Sequence, residues 1–186
     1  MSRRTLALCL ALSCLVVALV PARAQPAPAP YSTAADKLFS KGLKYYAKGQ
    51  YPKARDAFVD LVKQPLNQRS SAGQLMLGRT LFHLGEYERA LQVAQRLEPK
   101  YPDSPYLPDA CLLAGDCCYA LQRYAEAALL YGRVLLANAS LPLKGQAAER
   151  LAGVVKNELI AGQALDRLRG QVGEGLLREA LDFGAV

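Results

Sequence analysis

The sequence predicts an all-α protein in which short helical hairpins repeat along the chain. In three places a glycine is followed nine residues later by a tyrosine, and three residues after that by an alanine, at steps of 36 and 37 residues. Because the 186 residues include only 14 glycines and 10 tyrosines, three copies in register indicate a repeat array. No segment alternates polar and apolar residues over enough length to favour a strand. The three sets are Gly42, Tyr51 and Ala54; Gly78, Tyr87 and Ala90; and Gly115, Tyr124 and Ala127.

Seven helices are predicted from capping residues and from the glycines and prolines between apolar runs. A serine or threonine is expected to cap the first helix at position 32 or 33, the third at 70 or 71 and the fifth at 104. Gly49 and Gly85 are expected to end the first and third helices, and Pro142 to open the seventh. The expected spans are about 33–48, 52–64, 71–84, 87–97, 105–121, 124–137 and 143–159.

The recurring glycine is predicted to let two helices approach closely. A glycine inside a helix costs about 1 kcal/mol relative to alanine, so a repeated one needs a packing reason. We expect each glycine to face the alanine of its own set across the hairpin, with the tyrosine covering the turn. Phe58 and Tyr131 occupy equivalent positions as core residues, where the middle unit has Ala94.

Residues 1–24 have the features of a signal peptide. Two arginines precede an apolar run of about 16 residues, and small residues flank Arg23, so cleavage is expected before Gln25. The run is short for a membrane span of about 20 residues, which leaves an uncleaved anchor as the alternative. Lipidation of Cys14 is a further alternative, although that cysteine lies inside the apolar run rather than at its end. Residues 25–31 alternate proline with alanine and are predicted to form an extended linker.

Charge and cysteine content narrow the function. Removal of residues 1–24 lowers the formal net charge from +7 to +4, which is too mild for a nucleic-acid binder. Cys111, Cys117 and Cys118 lie in one predicted helix, where two turns separate the first from the last by about 10 Å. That separation is too long for a disulfide, and we interpret the three as small buried hydrophobes.

Residues 34–140 resemble the tetratricopeptide repeat (TPR), a helix-turn-helix unit of about 34 residues. The third unit has Gln122 where the turn glycine is usual, and the first has Lys41 where an apolar residue is usual. The resemblance implies a right-handed superhelix of three repeats at about 35–68, 71–104 and 108–141. The middle unit matches most fully, through Leu77, Gly78, Gly85, Tyr87, Ala90 and Pro102.

Two features point to a subgroup of these repeat proteins: the segment from Tyr101 to Tyr106, and a repeat spacing longer than 34 residues. They are similar to the exported BamD-like outer-membrane assembly lipoproteins and to the periplasmic Tol–Pal-associated coordinator of the YbgF type. Beyond residue 141 the pattern decays, and residues 142–186 are expected to form a degenerate repeat and helical cap with a polar outer face.

An enzymatic site is not expected, and neither is a cofactor or a metal ion. His83 is the only histidine, so paired-histidine metal ligation is excluded, and Cys-x-x-Cys, Gly-x-Ser-x-Gly and P-loop motifs are missing. The carboxylates at helical spacing, such as Asp109 and Asp116, are interpreted as solvated helix faces.

In the family that the chain resembles, the first helix of each pair lines a concave groove, and this implies a set of partner-binding residues. Aromatic anchors among a few charges suit an apolar segment or an amphipathic helix. Burial in the core is the alternative for Leu75 and Leu112 above all. The asparagine and lysine of the family's carboxylate clamp are missing at positions 39, 75 and 112, so capture of an acidic C-terminus is not expected. The candidates are Phe39, Leu43, Tyr46, Leu75, Arg79, Phe82, His83, Leu112, Asp116 and Tyr119.

These observations predict a non-catalytic interaction scaffold of the bacterial cell envelope, located in the periplasm and binding protein partners. The narrower expectation is a role in outer-membrane assembly or envelope coordination. An interaction module of a larger exported protein is one alternative, and a hydrolase acting on cell-wall material is another. Lys37, Lys41, Lys44 and Lys48 form a separate basic stripe, interpreted as a solvated cap, with contact to lipid phosphates or an acidic partner as the alternative.

Overall fold

The computed structural model describes residues 29–156 and 162–183, and within these ranges every regular element is an α-helix. The prediction of an all-α protein is therefore confirmed. The predicted signal peptide and most of the predicted linker lie outside the described residues. The helices are α1 Thr33–Ala47, α2 Tyr51–Lys63, α3 Ser70–His83, α4 Tyr87–Gln95, α5 Leu97–Lys100, α6 Leu107–Ala120, α7 Tyr124–Leu136, α8 Leu141–Lys156, α9 Gly162–Val172 and α10 Glu174–Phe183.

The first hairpin begins and turns as its sequence predicts. The Ser32 hydroxyl accepts a hydrogen bond from the Ala35 amide at 3.2 Å, which caps α1. Gly49 then has a φ of +67°, in the left-handed region that glycine adopts at little cost, and α2 follows. Residues before α1 are also held: the Gln68 side chain bonds both backbone groups of Ser32, at 2.8 and 3.1 Å.

Two predicted caps are wrong: α3 begins one residue earlier than expected, and α6 begins two residues later. Ser70 is already helical, and its hydroxyl accepts from the Asn67 amide at 2.9 Å, so it closes the preceding loop instead of capping α3. Ser104 likewise accepts from the Tyr106 amide at 3.2 Å, and α6 starts at Leu107 with Pro108 in its first turn. In both places the serine hydroxyl reaches a nearer loop amide first, as serine does in turns.

The ends of the second and third hairpins also differ in detail from the prediction. The expected fourth helix is divided, because α4 ends at Gln95 and the single turn of α5 follows it. Gly85 lies in the turn of the second hairpin with a φ of +75°, just after the end of α3, as predicted. At the equivalent turn of the third hairpin Gln122 has a φ of +60°, so a residue with a Cβ takes the conformation of the missing glycine.

Aromatic rings, rather than the expected alanines, lie nearest to two of the recurring glycines. A Cβ added at Gly42 would lie 2.5 Å from Cε1 of Phe58, and one at Gly115 would lie 2.5 Å from Cε1 of Tyr131. At Gly78 the nearest atom is Cδ2 of Leu113, from the next hairpin, at 2.9 Å. The prediction of close approach holds, but in the first and third hairpins the group that approaches the glycine is an aromatic ring one helical turn beyond the alanine. Ala54, Ala90 and Ala127 are fully buried.

The hairpins stack in sequence order, so that each one packs on the next. Each second helix packs on the first helix of the next hairpin: α2 on α3, α4 on α6 and α7 on α8. The first helices also contact one another directly, α1 with α3, α3 with α6 and α6 with α8. One continuous apolar core runs through the stack and contains Phe58, Leu81, Tyr131 and Leu151.

The C-terminal part, which was expected to form a degenerate repeat and a helical cap, holds three helices in the described residues. α10 packs on α8, while α9 returns across α7, where a Cβ at Gly132 would lie 2.5 Å from Cγ2 of Val172. Gly173, with a φ of +85°, forms the turn between α9 and α10. The packing of α9 on α7 thus depends on Gly132, a glycine that the repeat pattern does not single out.

The cysteines behave as the sequence predicts. Cys117 and Cys118 are fully buried and Cys111 partly so, and all three are free thiols. Burial raises the pKa of Cys117 to about 12, so its thiol stays protonated at neutral pH. Among the helices of the described residues, none combines the length and apolar character needed to span a bilayer.

Candidate partner-binding groove

The first helices of the hairpins lie side by side and form one continuous layer, called the inner layer here. Its members are α1, α3, α6 and α8. Positions in this row repeat at the same step of 36 and 37 residues, so Leu43, Arg79 and Asp116 are equivalent, and the next equivalent residue is Gly153 of α8. The direct contacts among these helices make α8 the fourth member of the row.

An aromatic pair recurs at each of the three hairpin turns. Tyr46 and Tyr51 have ring centroids 5.5 Å apart, Phe82 and Tyr87 5.2 Å, and Tyr119 and Tyr124 5.4 Å, all edge to face. Such pairs contribute about 0.5–1.5 kcal/mol each beyond the area they bury. The tyrosine of each recurring set therefore fixes the ring at the end of the preceding helix. The repeat in this way sets three groove-side aromatic residues, Tyr46, Phe82 and Tyr119, in one register.

His83 joins the first two of these pairs across the hairpin boundary. Its ring stacks on Tyr51 with centroids 4.7 Å apart and planes 2° from parallel, and it meets Tyr46 edge to face at 5.4 Å. The histidine is thus part of the contact between consecutive hairpins as well as an exposed side chain of the groove.

Ion pairs connect successive first helices along the same layer. Asp36 of α1 pairs with Arg69, the residue before α3, at 2.5 Å, and Arg79 of α3 pairs with Asp109 of α6 at 2.7 Å. Asp116 of α6 pairs with Arg150 of α8 at 2.6 Å. The interpretation of Asp109 and Asp116 as solvated carboxylates is therefore wrong, because both are half-buried in contacts between hairpins.

Asp116 also accepts a hydrogen bond from the hydroxyl of Tyr131 at 3.0 Å, which ties the groove to the core. Its pKa is raised above the ordinary value because burial outweighs the lowering effects of Arg150 and Tyr131. Asp36, at the exposed end of the layer, has the opposite shift, since hydrogen bonds from Arg69 and Tyr31 hold its pKa below the ordinary value.

The structure divides the predicted partner-binding residues into available and unavailable groups. Leu75 and Leu112 are only 3% and 5% exposed and belong to the packed core, although Leu112 also borders one groove cavity. Phe39 is half-buried, with its ring against Phe58 at 6.1 Å and the guanidinium of Arg69 over it at 5.2 Å. Accessible side chains remain at Leu43 and Tyr119, which are 38% and 43% exposed, and at His83.

Two neighbouring open cavities lie along the layer between α3, α6 and α8. One of about 330 Å³ is lined by Tyr46, Arg79, Phe82 and His83 together with residues of α6 and α8. The other, of about 490 Å³, is lined by Phe82, Tyr119 and Tyr131 and by Glu149, Arg150 and Gly153 of α8. Phe82, Asp116 and Arg150 border both, so the two cavities form one groove.

The contribution of α8 to this groove was missed from the sequence. Glu149 and Arg150 belong to the segment that is expected to form a cap with a polar outer face, whereas both line the second cavity. The available signal was the repeat step, because 37 residues added to Asp116 give Gly153. The absence of a following tyrosine and alanine concealed it.

Outside the groove, the described residues include one basic stripe on α1. Lys37, Lys41, Lys44 and Lys48 are exposed on α1, away from the groove residues. In the part of the chain that the structure describes, no three histidine, cysteine or carboxylate side chains come close enough to share a metal ion.

Comparison with known protein families finds a repeat family that matches part of the chain. A family model described as Tetratricopeptide repeat matches residues 39–105, which contain most of the first repeat and the whole of the second. No curated protein matches the chain.

Two solved structures of MamA, both with TM-scores above 0.5, extend the likeness in fold to most of the chain. MamA of MSR-1 is similar over 83% of this chain and 94% of its own, at 18% identity and a TM-score of 0.52. MamA of AMB-1 is similar over 81% and 80%, at 20% identity and a TM-score of 0.51. The TPR2B domain of yeast Sti1, in complex with pHsp70, covers 77% of this chain and 99% of its own, at 18% identity and a TM-score of 0.49.

The chain therefore has the tetratricopeptide-repeat fold, with family sequence across residues 39–105. This fold forms stacked repeats with an extended concave surface and is consistent with a protein–protein interaction scaffold. Proteins of this fold are generally interaction modules without catalytic activity. The narrower likeness to BamD-like and YbgF-type proteins stays a prediction.

Proposed function

We propose that this protein is a non-catalytic scaffold of the bacterial cell envelope that binds a segment of a protein partner along its inner groove. The observation that carries the proposal is the register of Tyr46, Phe82 and Tyr119, one aromatic ring from each hairpin, beside the cavities that α8 completes. Rings held by a second aromatic residue lose little conformational freedom when a partner binds, which favours them as anchors.

The charges of the groove support a fixed register more than a strong general attraction. Arg79 with Asp109 and Asp116 with Arg150 are already paired within the chain, so apart from Glu149 the groove walls that a partner meets are nearly neutral. Apolar anchors then supply most of the affinity, and the polar groups between them set where the partner segment lies. An apolar or amphipathic segment fits this surface.

The envelope location of the proposal depends on the amino-terminal sequence. A charged start, an apolar run and a small-residue cleavage pattern precede the proline-alanine segment, as in exported proteins. Export to the periplasm, with a role in outer-membrane assembly or envelope coordination, is the proposal that these residues and the predicted family likeness support.

A site-specific photocrosslinker tests the groove in living cells. With the crosslinker in place of Tyr119, we expect a discrete crosslinked partner in the envelope fraction, and the same crosslinker in place of Leu136 should not give it. Leu136 is a matched control because it is 55% exposed and borders neither groove cavity. The partner band should fall by at least about tenfold when Phe82→Ala is added, since hot-spot aromatics contribute about 2 kcal/mol or more.

Circular dichroism of the Phe82→Ala protein must show that the fold is retained, because Phe82 also packs on Tyr87. A crosslinked band that is equally strong from Leu136, or that is indifferent to Phe82→Ala, rules out the groove as the binding surface. Recovery of the protein in the cytoplasmic fraction rules out the proposed location.

A further inference from the structure

Gly153 is a helical glycine that the fold itself does not require. The glycines at 42, 73, 78, 115 and 132 each have a side-chain atom within 2.9 Å of the position that a Cβ would take. At Gly153 the corresponding position has no atom within 4 Å. A glycine inside a helix costs about 1 kcal/mol relative to alanine, and here no internal contact offsets that cost. The open space lies in the second groove cavity.

The walls of this space combine aromatic rings with an acidic helix face. Phe82 and Tyr119 line it from α3 and α6, and Glu149 lines it from α8. Glu149 precedes Gly153 by four residues, so the carboxylate and the open position are neighbours on one helix face.

The charge balance of the cavity is negative because one carboxylate has no counter-ion. Asp116 is matched by Arg150 at 2.6 Å and by the hydroxyl of Tyr131. Glu149 is exposed and makes no hydrogen bond or ion pair with any of the residues that the structure describes. The cavity therefore offers two carboxylates and one guanidinium, together with aromatic faces.

We propose that this cavity is a subsite for an arginine or lysine side chain of the partner segment. Its aliphatic stem lies in the space left open at Gly153, against the rings of Phe82 and Tyr119, and its charged head pairs with Glu149. This combination of ring faces and a carboxylate is suited to a guanidinium, which stacks on aromatic rings while it donates hydrogen bonds. The inference rests on the proposed function, because it names the kind of side chain that the groove receives.

Other side chains fit the cavity less well. An acidic side chain would face Glu149 and would compete with Asp116 for Arg150. A wholly apolar side chain would cover the Glu149 carboxylate without providing a partner, and an unpaired buried charge is costly. A basic side chain alone satisfies both the rings and the carboxylate.

The test uses an arginine probe and its uncharged isostere on the isotope-labelled protein. N-acetyl-arginine amide is titrated against the protein while NMR follows the Gly153 amide and the Tyr119 ring, and N-acetyl-citrulline amide is titrated in parallel. We expect saturable shifts centred on these two residues with arginine, and binding about two- to fivefold weaker with citrulline, the size of one exposed charge pair.

Two variants with matched controls complete the test. Glu149→Gln should weaken binding of the arginine probe by about two- to fivefold, while Glu179→Gln, at an exposed glutamate of α10, should leave it unchanged. Gly153→Leu should block the probe, whereas Gly170→Leu, at a glycine of α9 that is also free of neighbours within 4 Å, should not.

The outcomes separate this inference from the proposed function. Equal binding of arginine and citrulline, or arginine binding indifferent to both Glu149→Gln and Gly153→Leu, overturns the subsite. If in that case the Tyr119 crosslink to a partner persists and depends on Phe82, the scaffold function stands without it. If the crosslink fails as well, both are wrong.

Discussion

Gln122 adopts a left-handed backbone conformation that is unfavourable for a residue with a Cβ. Its φ of +60° is the conformation that Gly49 and Gly85 adopt at the turns of the other two hairpins. An L-residue with a Cβ pays roughly 1–2 kcal/mol for the left-handed region, which glycine does not. The turn holds because α6 and α7 are packed on both sides of it.

We expect Gln122→Gly to stabilise the protein by about 1 kcal/mol, since it removes this strain while the exposed side chain is of little consequence. Urea denaturation followed by circular dichroism measures the change. Gly85→Gln is the matched reverse, because a Cβ there meets no atom within 4 Å and only the conformation is altered. It should destabilise by a similar amount, and a neutral result for both variants would show that the turns adapt without cost.

At the scale of the helix, the spacing within a hairpin is set by a glycine and the ring that fills its place. Phe58 and Tyr131 are fully buried, so their rings have no room to move away from Gly42 and Gly115. In the middle hairpin Ala94 stands where the ring would be, and Leu113 of α6 reaches Gly78 instead. The same glycine position is therefore filled from within the hairpin in two repeats and from the neighbouring hairpin in one.

Gly115→Ala should lower the free energy of unfolding by about 1–3 kcal/mol, the usual cost of an overpacked core. Gly78→Ala should cost less, because the nearest atom is the tip of a leucine side chain at 2.9 Å. Gly170→Ala serves as the control and should stabilise α9 by up to about 1 kcal/mol through helix propensity alone. Thermal unfolding of the three variants gives the ranking, and equal effects of Gly115→Ala and Gly170→Ala would refute this account of the packing.

Across the whole molecule, the stack is joined by ion pairs between hairpins, and the deepest of them lies in the groove. The folded-state pKa of Asp116 is raised above the model-compound value of 3.8, mainly by burial. The folded protein thus binds this proton more tightly than the unfolded chain does. The contribution of Asp116 to stability is present below about pH 4 and is lost as pH rises through the raised pKa.

As the pH rises from about 3 to 7, the wild type should lose the contribution of Asp116 to the free energy of unfolding. Asp116→Asn cannot lose it, so its free energy of unfolding at pH 7, relative to pH 3, should be higher than that of the wild type. Urea midpoints of both proteins at the two pH values provide the measurement. Asp36→Asn should act in the opposite direction, because the pKa of Asp36 is lowered by Arg69 and its contribution is lost as pH falls. An identical pH dependence in wild type and Asp116→Asn would mean that burial does not dominate at this site.

Much of the fold could be predicted because local sequence repeats encode local contacts. The positions of Gly49 and Gly85, the Ser32 cap and the class of the fold all follow from backbone preferences and periodicity. The serines at 70 and 104 were misjudged because a hydroxyl near a turn has several amides within reach, and only the loop conformation selects one.

The exposure of the groove residues could not be predicted from the sequence, because it depends on packing between hairpins. Leu75 and Leu112 occupy the same repeat position as Phe39, yet they are buried in the core while Phe39 lies half-exposed at the end of the stack. Burial is a property of what packs on a residue, and that neighbour comes from another hairpin.

By itself, the sequence determined that this protein is a stack of helical hairpins and placed the glycines, turns and aromatic residues that repeat within each of them. The tertiary structure alone decided that α8 completes the groove, that Arg150 holds Asp116, and that Gly153 leaves an open space beside Glu149. The reason is physical: helix formation and turns depend on neighbours along the chain, whereas the groove is formed where distant helices meet.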